Sequence, residues 1–188
     1  MKIIIIEGPD NTGKNTLIHD LLERNEITKV IHCSTPKPSD NVLLDQTRYF
    51  ASLANECINE SKQTDVIVFN RYYQGEYVYG QIYRNEDPKQ ILSMIGYIET
   101  KFKYELSNNV EIYYVQLLSS SPEMLINMDD GKSLSNANKE KIQKEIDLFK
   151  DVFEKSHIKN KHIIYVNDGD HFRTREDILN EFNNFING

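Results

Sequence analysis

Near the start of the chain runs Ile3-Ile4-Ile5-Ile6-Glu7-Gly8-Pro9-Asp10-Asn11-Thr12-Gly13-Lys14-Asn15-Thr16. An unbroken isoleucine run suits a strand buried on both faces, as in the middle of a parallel sheet. Residues 14–24 then place Leu17, Ile18, Leu21 and Leu22 at helical spacing. Between them, residues 8–13 form a glycine-bearing turn that nearly completes the pattern G-x-x-x-x-G-K-[ST]. Such a loop wraps nucleotide phosphates for a physical reason. Its glycines let backbone N–H groups converge on an anion, the next helix adds positive potential, and Lys14 reaches the outer phosphates. Gly8, Asn11, Thr12, Gly13, Lys14, Asn15 and Thr16 are the candidate phosphate-binding residues. One position departs from the pattern. Asn15 stands where Ser or Thr normally meets Mg²⁺, and an amide oxygen is a poorer match for a tight octahedral site. Asn15 is the candidate metal ligand on those terms, and Thr16 keeps a hydroxyl one residue on.

Outward from this stretch, strands and helices alternate. Residues 29–33 read as a second strand and 34–40, with two prolines, as a loop. Residues 42–61 put Leu43, Thr47, Phe50, Ala54, Cys57 and Ile58 on one helical stripe. Residues 65–69 are a third strand, 88–106 a long helix and 110–118 a fourth strand. Ser121 and Pro122 start a short helix as N-cap and first-turn proline. A polar loop over 129–135, a helix over 139–157, a fifth strand over 162–166 and a closing helix over 174–186 complete the pass. The order implies an α/β fold with an open, mostly parallel five-stranded sheet covered on both faces.

Composition narrows the partners. The 188 residues suit one domain with a substantial core. A formal charge of −7 argues against nucleic acid or an anionic membrane, both of which favour a basic face. No apolar run approaches the ~20 residues that span a bilayer, and Glu7 cuts short the apolar N-terminus, so no signal peptide is expected. Cys33 and Cys57 fit a reducing, cytoplasmic setting as small buried hydrophobes. The histidines show no metal-ligand spacing; His32 and His171 fall near strand ends close to the loop.

Glu7-Gly8-Pro9-Asp10 followed by Gly13-Lys14 and Thr16 resembles the thymidylate kinase family, phage-type members included, with its E-G-x-D-G-x-G-K-S-T loop. Val66-Ile67-Val68-Phe69-Asn70-Arg71-Tyr72 resembles that family's D-R-Y motif, with Asn70 in place of Asp, and Tyr79 falls on its downstream tyrosine. The stretch 113–125 is similar to the strand and short helix that lead into the family's lid. The resemblance implies a P-loop NTPase-type fold, a single nucleotide monophosphate kinase-like domain over 1–188, a short lid at about 127–138, ATP as donor, Mg²⁺, and small-molecule nucleotides as partners. It also allows a homodimer. By the same resemblance Lys14 holds ATP phosphates, Asp10 sits near the acceptor sugar and metal, and Arg71 bridges donor and acceptor phosphates. Tyr79 disfavours a 2′-hydroxyl, Tyr72 completes the acceptor motif, and Lys132 is the lid's cation. The loop over 167–170 lies near the adenine. The family's arginine-bearing segment after the second strand has become Ser34-Thr35-Pro36-Lys37, where Lys37 could replace the lost cation. Phe50 is either the base-stacking ring or part of the core stripe. Arg48 is either a site cation or a solvated charge.

A monophosphate acceptor has a second pKa of about 6 and needs no general base. The task is to hold two repelling anions in line and stabilise the spreading charge, which suits Lys14, Arg71 and a metal ion. A nucleoside acceptor wants a carboxylate; Asn70 is not one, although Asp10 remains available. Glu76 falls where the family reads the base. It could accept from thymine or uracil N3–H, from cytosine's amine or from a hydroxyl on a modified pyrimidine, or be a surface glutamate on a helix. The expected reaction is ATP-dependent phosphorylation of a pyrimidine deoxynucleoside monophosphate, dTMP or a 5-substituted analogue such as 5-hydroxymethyl-dUMP. The alternatives are a kinase for a nucleoside or other small molecule, and a catalytically weak nucleotide-binding module.

Overall fold

A computed structural model describes residues 1–33, 36–37, 39–60, 65–105, 110–129, 131 and 133–188. The isoleucine run forms β1 (Lys2–Glu7), whose side chains alternate between two cores. Ile3 and Ile5 enter one, Ile4 and Ile6 the other, and all four are essentially fully buried. Around it the strands β2 (Lys29–His32), β3 (Val66–Asn70), β4 (Glu111–Leu118) and β5 (Asn160–Tyr165) lie in the order β2-β3-β1-β4-β5. Every neighbouring pair is parallel. The fold is therefore the expected α/β sheet, five strands with helices on both faces.

Helices α1 (Lys14–Glu23) and α7 (Arg175–Asn187) cover the Ile4 face through Leu17, Ile18, Leu21, Leu179 and Phe182. The Ile3 face carries α2 (Val42–Glu60), α3 (Gln74–Tyr83), α4 (Pro88–Glu105) and α6 (Lys139–Lys155). A short α5 (Pro122–Asn127) follows β4, with Pro122 in its first turn and Ser121 as an N-cap by backbone conformation alone. Two short strands, β6 (Asn167–Asp168) and β7 (His171–Phe172), make a hairpin before α7. No described helix is long and apolar enough to cross a membrane.

Two elements differ from the sequence-based reading. Residues 167–172 pair as a hairpin rather than lying as a plain loop. Helix α3 lies in a span for which periodicity shows no element. Its residues Gln74, Gly75, Glu76, Tyr77, Val78, Tyr79 and Gly80 are all buried, so no polar stripe marks a helical period. Glu76 is accordingly not a surface glutamate.

The topology places a crevice at the carboxyl end of β1. From β1 the chain crosses to the edge strand β2, returns to β3 beside β1, and then crosses to β4 and β5 on the other side. That is the switch point at which open parallel sheets bind ligands.

Candidate active site

The loop after β1 needs its glycines. Gly8 has φ 142°, and a Cβ there would lie 2.1 Å from the carbonyl oxygen of Leu117 on β4. Gly13, at φ 81°, turns the chain into α1 without a side-chain cap, leaving the loop's N–H groups for an anion. Thr12 Oγ1 braces the loop by donating to the Pro9 carbonyl at 2.9 Å. The Lys14 ammonium lies inside the loop and donates to the carbonyls of Gly8 (2.8 Å) and Pro9 (2.5 Å). Burial and the nearby Arg71 charge lower the Lys14 pKa to about 7, against the opposing pull of Asp10 and Glu7.

Arg71 follows β3 in a left-handed conformation, φ 66°, uncommon for a side chain of this size. Its backbone N–H donates to the Ile6 carbonyl at 3.0 Å, which fixes the turn beside β1. Its guanidinium pairs with Asp10, donates to the Tyr79 hydroxyl at 2.7 Å, and sits 5.3 Å from the Tyr79 ring centre. Burial opposes its charge, but Tyr79, Asp10 and Glu7 outweigh that and hold it firmly protonated.

Two cavities meet at this arginine. The first, of about 400 Å³, wraps the loop and is walled by Asp10, Lys14, Asn15, His32, Asn70 and Arg71. The second, of about 480 Å³, runs over α3 and is walled by Phe50, Tyr72, Glu76, Tyr79, Arg84 and Leu134. Asp10, Cys33 and Arg71 line both. Burial pushes the Cys33 thiol up to about 12, so it is an inert part of the wall. A third cavity of about 200 Å³ lies on the far side of the loop, between Thr12, Gly13 and Thr16 and the apolar Met128 and Phe172, with Arg173 beside them.

The structure gathers most of the candidate residues around these cavities, with three exceptions. Arg48 projects from α2 with a side chain 72 % exposed, 3.8 Å from Asp45. Lys37 is exposed and, with Arg48, lines neither of the first two cavities. Lys132 lies outside the described residues. Phe50 is a core residue, 2 % exposed and packed edge-on to Tyr72 at 5.3 Å, that also lines the second cavity. Tyr72 is a core residue whose hydroxyl donates to the Phe50 carbonyl at 2.7 Å. The segment between α5 and α6 approaches the site through Leu134, whose N–H lies 3.4 Å from Asp10 Oδ2.

Periodicity gave no role to Glu7, Arg84 or Glu145. Glu7 is fully buried, and its Oε1 accepts from the N–H groups of Tyr72 (2.6 Å) and Gly75 (3.0 Å), pinning the start of α3 to the loop. Its signals in the sequence are a charge that ends an isoleucine run and its place at the head of the loop motif. Glu145 on α6 is buried, accepts from the Tyr83 hydroxyl at 2.5 Å, and is raised by burial to about 7.

The residues fit phosphates but not a directly held Mg²⁺. Asn70 Nδ2 donates to Asn15 Oδ1 at 2.7 Å and lies 3.0 Å from His32 Nδ1. The Asn70 amide nitrogen thus engages Asn15 Oδ1, the oxygen proposed from the sequence as the metal ligand. Asp10, the single carboxylate among the described residues of the first cavity, is paired with Arg71. Mg²⁺ favours charged oxygens in a tight shell, and that set offers none uncommitted.

No family model matches the chain, and no curated protein sequence does. Solved structures do match. A YorR protein from Bacillus subtilis, in complex with phosphorylated GDP, has a TM-score of 0.66 at 17% identity, covering 98% of this chain and 95% of that one. Polyphosphate kinase 2 from Arthrobacter aurescens TC1 has a TM-score of 0.65 at 12% identity, covering 98% of this chain and 65% of that one. Thymidylate kinase from Ehrlichia chaffeensis has a TM-score of 0.58 at 15% identity, covering 98% of each. The fold is that of the P-loop kinases. At these identities the likeness establishes the fold alone.

Proposed function

We propose that the protein transfers the terminal phosphoryl group of ATP to the phosphate of a pyrimidine deoxynucleoside monophosphate, dTMP or a 5-substituted analogue, giving the diphosphate. The observation that carries this is Arg71. One guanidinium, fixed by Asp10 and Tyr79, lines both the loop cavity and the α3 cavity. A planar fork there can touch two anions at once and stabilise charge that moves between them.

In this reading the loop N–H groups and Lys14 hold the donor phosphates in the first cavity. The third cavity, beside the 167–172 hairpin, takes the donor's base. The acceptor lies over α3 with its phosphate toward Arg71. An oxygen of that phosphate attacks the terminal phosphorus of ATP, the bond to the bridging oxygen breaks, and ADP leaves with the electron pair. No base is needed, because the acceptor phosphate is already dianionic near neutrality. This agrees with the amide at Asn70. Tyr79 walls the sugar and leaves little room for a 2′-hydroxyl. Mg²⁺ entering with the donor would meet its phosphates and water rather than a protein carboxylate. Lys14 and Arg71 therefore carry the electrostatic work assigned to this chain.

Arg71→Ala tests the bridge. It is expected to lower kcat by about 10³-fold or more on a monophosphate acceptor, the scale of an arginine at a transferring phosphate. Equal activity in Arg71→Ala would remove the argument. Turnover of thymidine in place of dTMP would instead favour a nucleoside kinase.

A further inference from the structure

The α3 cavity has a charged end that phosphate transfer does not use. Glu76 lines it from the first turn of α3, and Arg84 from just past the helix end. The two are ion-paired through Glu76 Oε2 and Arg84 Nη2. Glu86 holds the same guanidinium, accepting from Nε at 3.0 Å and from Nη2 at 3.2 Å. This divides the atoms. Arg84 Nη1 and Glu76 Oε1 have no hydrogen-bond partner among the described residues. The wall therefore offers a nitrogen with N–H donors beside one carboxylate acceptor.

The arrangement is built in rather than a solvated surface pair. The side chains of Glu76 and Arg84 are 9% and 22% exposed. Gly80 lets the cluster rest on the helix backbone: a Cβ there would lie 2.5 Å from Glu86 Oε2 and 3.2 Å from Arg84 Nη2. A base seated against this wall displaces water from both free atoms, so a ligand edge that pairs them is favoured over one that leaves either unpaired.

We infer that Glu76 and Arg84 together read the base of the acceptor, and that they select a lactam edge, a carbonyl beside a ring N–H, over an amidine edge, an amino group beside a bare ring nitrogen. The inference rests on the acceptor being a nucleoside monophosphate. The lactam carbonyl accepts from Arg84 Nη1, and the ring N–H donates to Glu76 Oε1; every polar atom of that edge is used. An amidine edge leaves one N–H of its amino group without a partner, since a single free carboxylate oxygen faces it. Thymine and uracil carry the lactam edge, cytosine the amidine. The distinction does not depend on ring size, because guanine and adenine differ in the same way.

The test is a set of dissociation constants by calorimetry on the full chain without donor, at pH 8. Burial raises Glu76 to about 7, against the pull of Arg84, so the carboxylate is charged at that pH. The ligands are dTMP, dCMP, dGMP, dAMP and N3-methyl-dTMP. The lactam member of each pair should bind about 10- to 100-fold tighter, the scale of one well-made base contact. N3-methylation should remove that advantage. Glu76→Gln should bring dTMP and dCMP within a few-fold of each other, because its amide can donate to a bare ring nitrogen. Arg84→Met should weaken dTMP more than dCMP. A merely structural role would weaken all ligands equally and leave the ratio intact. Equal binding of dTMP and dCMP, or N3-methyl-dTMP binding like dTMP, would overturn the inference while leaving a monophosphate kinase in place. If the variants fail to fold, the five ligands on the wild-type protein decide alone. Failure to bind any monophosphate would overturn the kinase reading and this inference together.

Discussion

Lys14 sits where its charge is least comfortable without a ligand. It is buried, its ammonium is tied to carbonyls of its own loop, and its pKa is near 7 rather than the usual 10.5. An entering polyphosphate favours the charged form and so raises that pKa. Donor binding is therefore expected to take up a proton around pH 7–8, and affinity to weaken as pH rises above 7. Calorimetry in buffers of differing ionisation enthalpy measures the uptake directly; zero uptake across that range would contradict the placement of Lys14. Lys14→Ala should also lower kcat by about 10²- to 10³-fold, as for loss of one preorganised donor. The amide pair gives a second expectation. Asn70→Asp puts a carboxylate beside Asn15, so half-saturating Mg²⁺ should fall by up to about tenfold in an activity titration. An unchanged or raised requirement would mean that the metal sits elsewhere.

At the scale of elements, α3 does most of the work. It starts on Glu7, presents Glu76 and Tyr79 to the second cavity, and is tied to α6 by hydroxyl bonds from Tyr77 to Asp151 (2.6 Å) and from Tyr83 to Glu145 (2.5 Å). Glu145 has a folded-state pKa raised from 4.5 to about 7 by burial. Its contribution to stability is therefore present below about pH 4.5 and is lost as pH rises through 7. Glu145→Gln keeps an acceptor for Tyr83 without the charge. It should melt above wild type at pH 8, by at least roughly 2–4 °C, the shift that about 1 kcal/mol gives at this size. The gap should close toward pH 5; a gap constant with pH would deny the burial cost. Helix α3 is also the element that the sequence pattern hides. Where one face is wet, as in α1, α4 and α7, leucine and isoleucine spacing marks the helix. Where both faces are buried, as in α3, Gly75, Gly80 and the tyrosines read as neither period. The loop residues 8–16 were legible because backbone geometry and chemistry coincide there. Arg84 was not, since its role depends on Glu76 and Glu86, brought to it by a helix turn that the pattern does not show.

Across the whole molecule, β1 is the organising strand. Its isoleucines feed both cores, and its carboxyl end lies between β3 and β4, where the chain changes direction. The loop, Arg71 and Asn70 converge there by topology, although residues 8 and 71 are far apart in sequence. Against a net charge of −7, the proposed pair of anionic ligands would need local cations, and Lys14 and Arg71 lie together at the crevice. The most direct test is a coupled assay with ATP and Mg²⁺ against a panel of nucleosides and monophosphates, including 5-hydroxymethyl-dUMP. Turnover of a pyrimidine deoxynucleoside monophosphate, lost in Lys14→Ala and Arg71→Ala, is the expected result. ATP binding with no turnover of any panel member would contradict it and leave a nucleotide-binding module whose Asn15–Asn70 pair has replaced the metal chemistry.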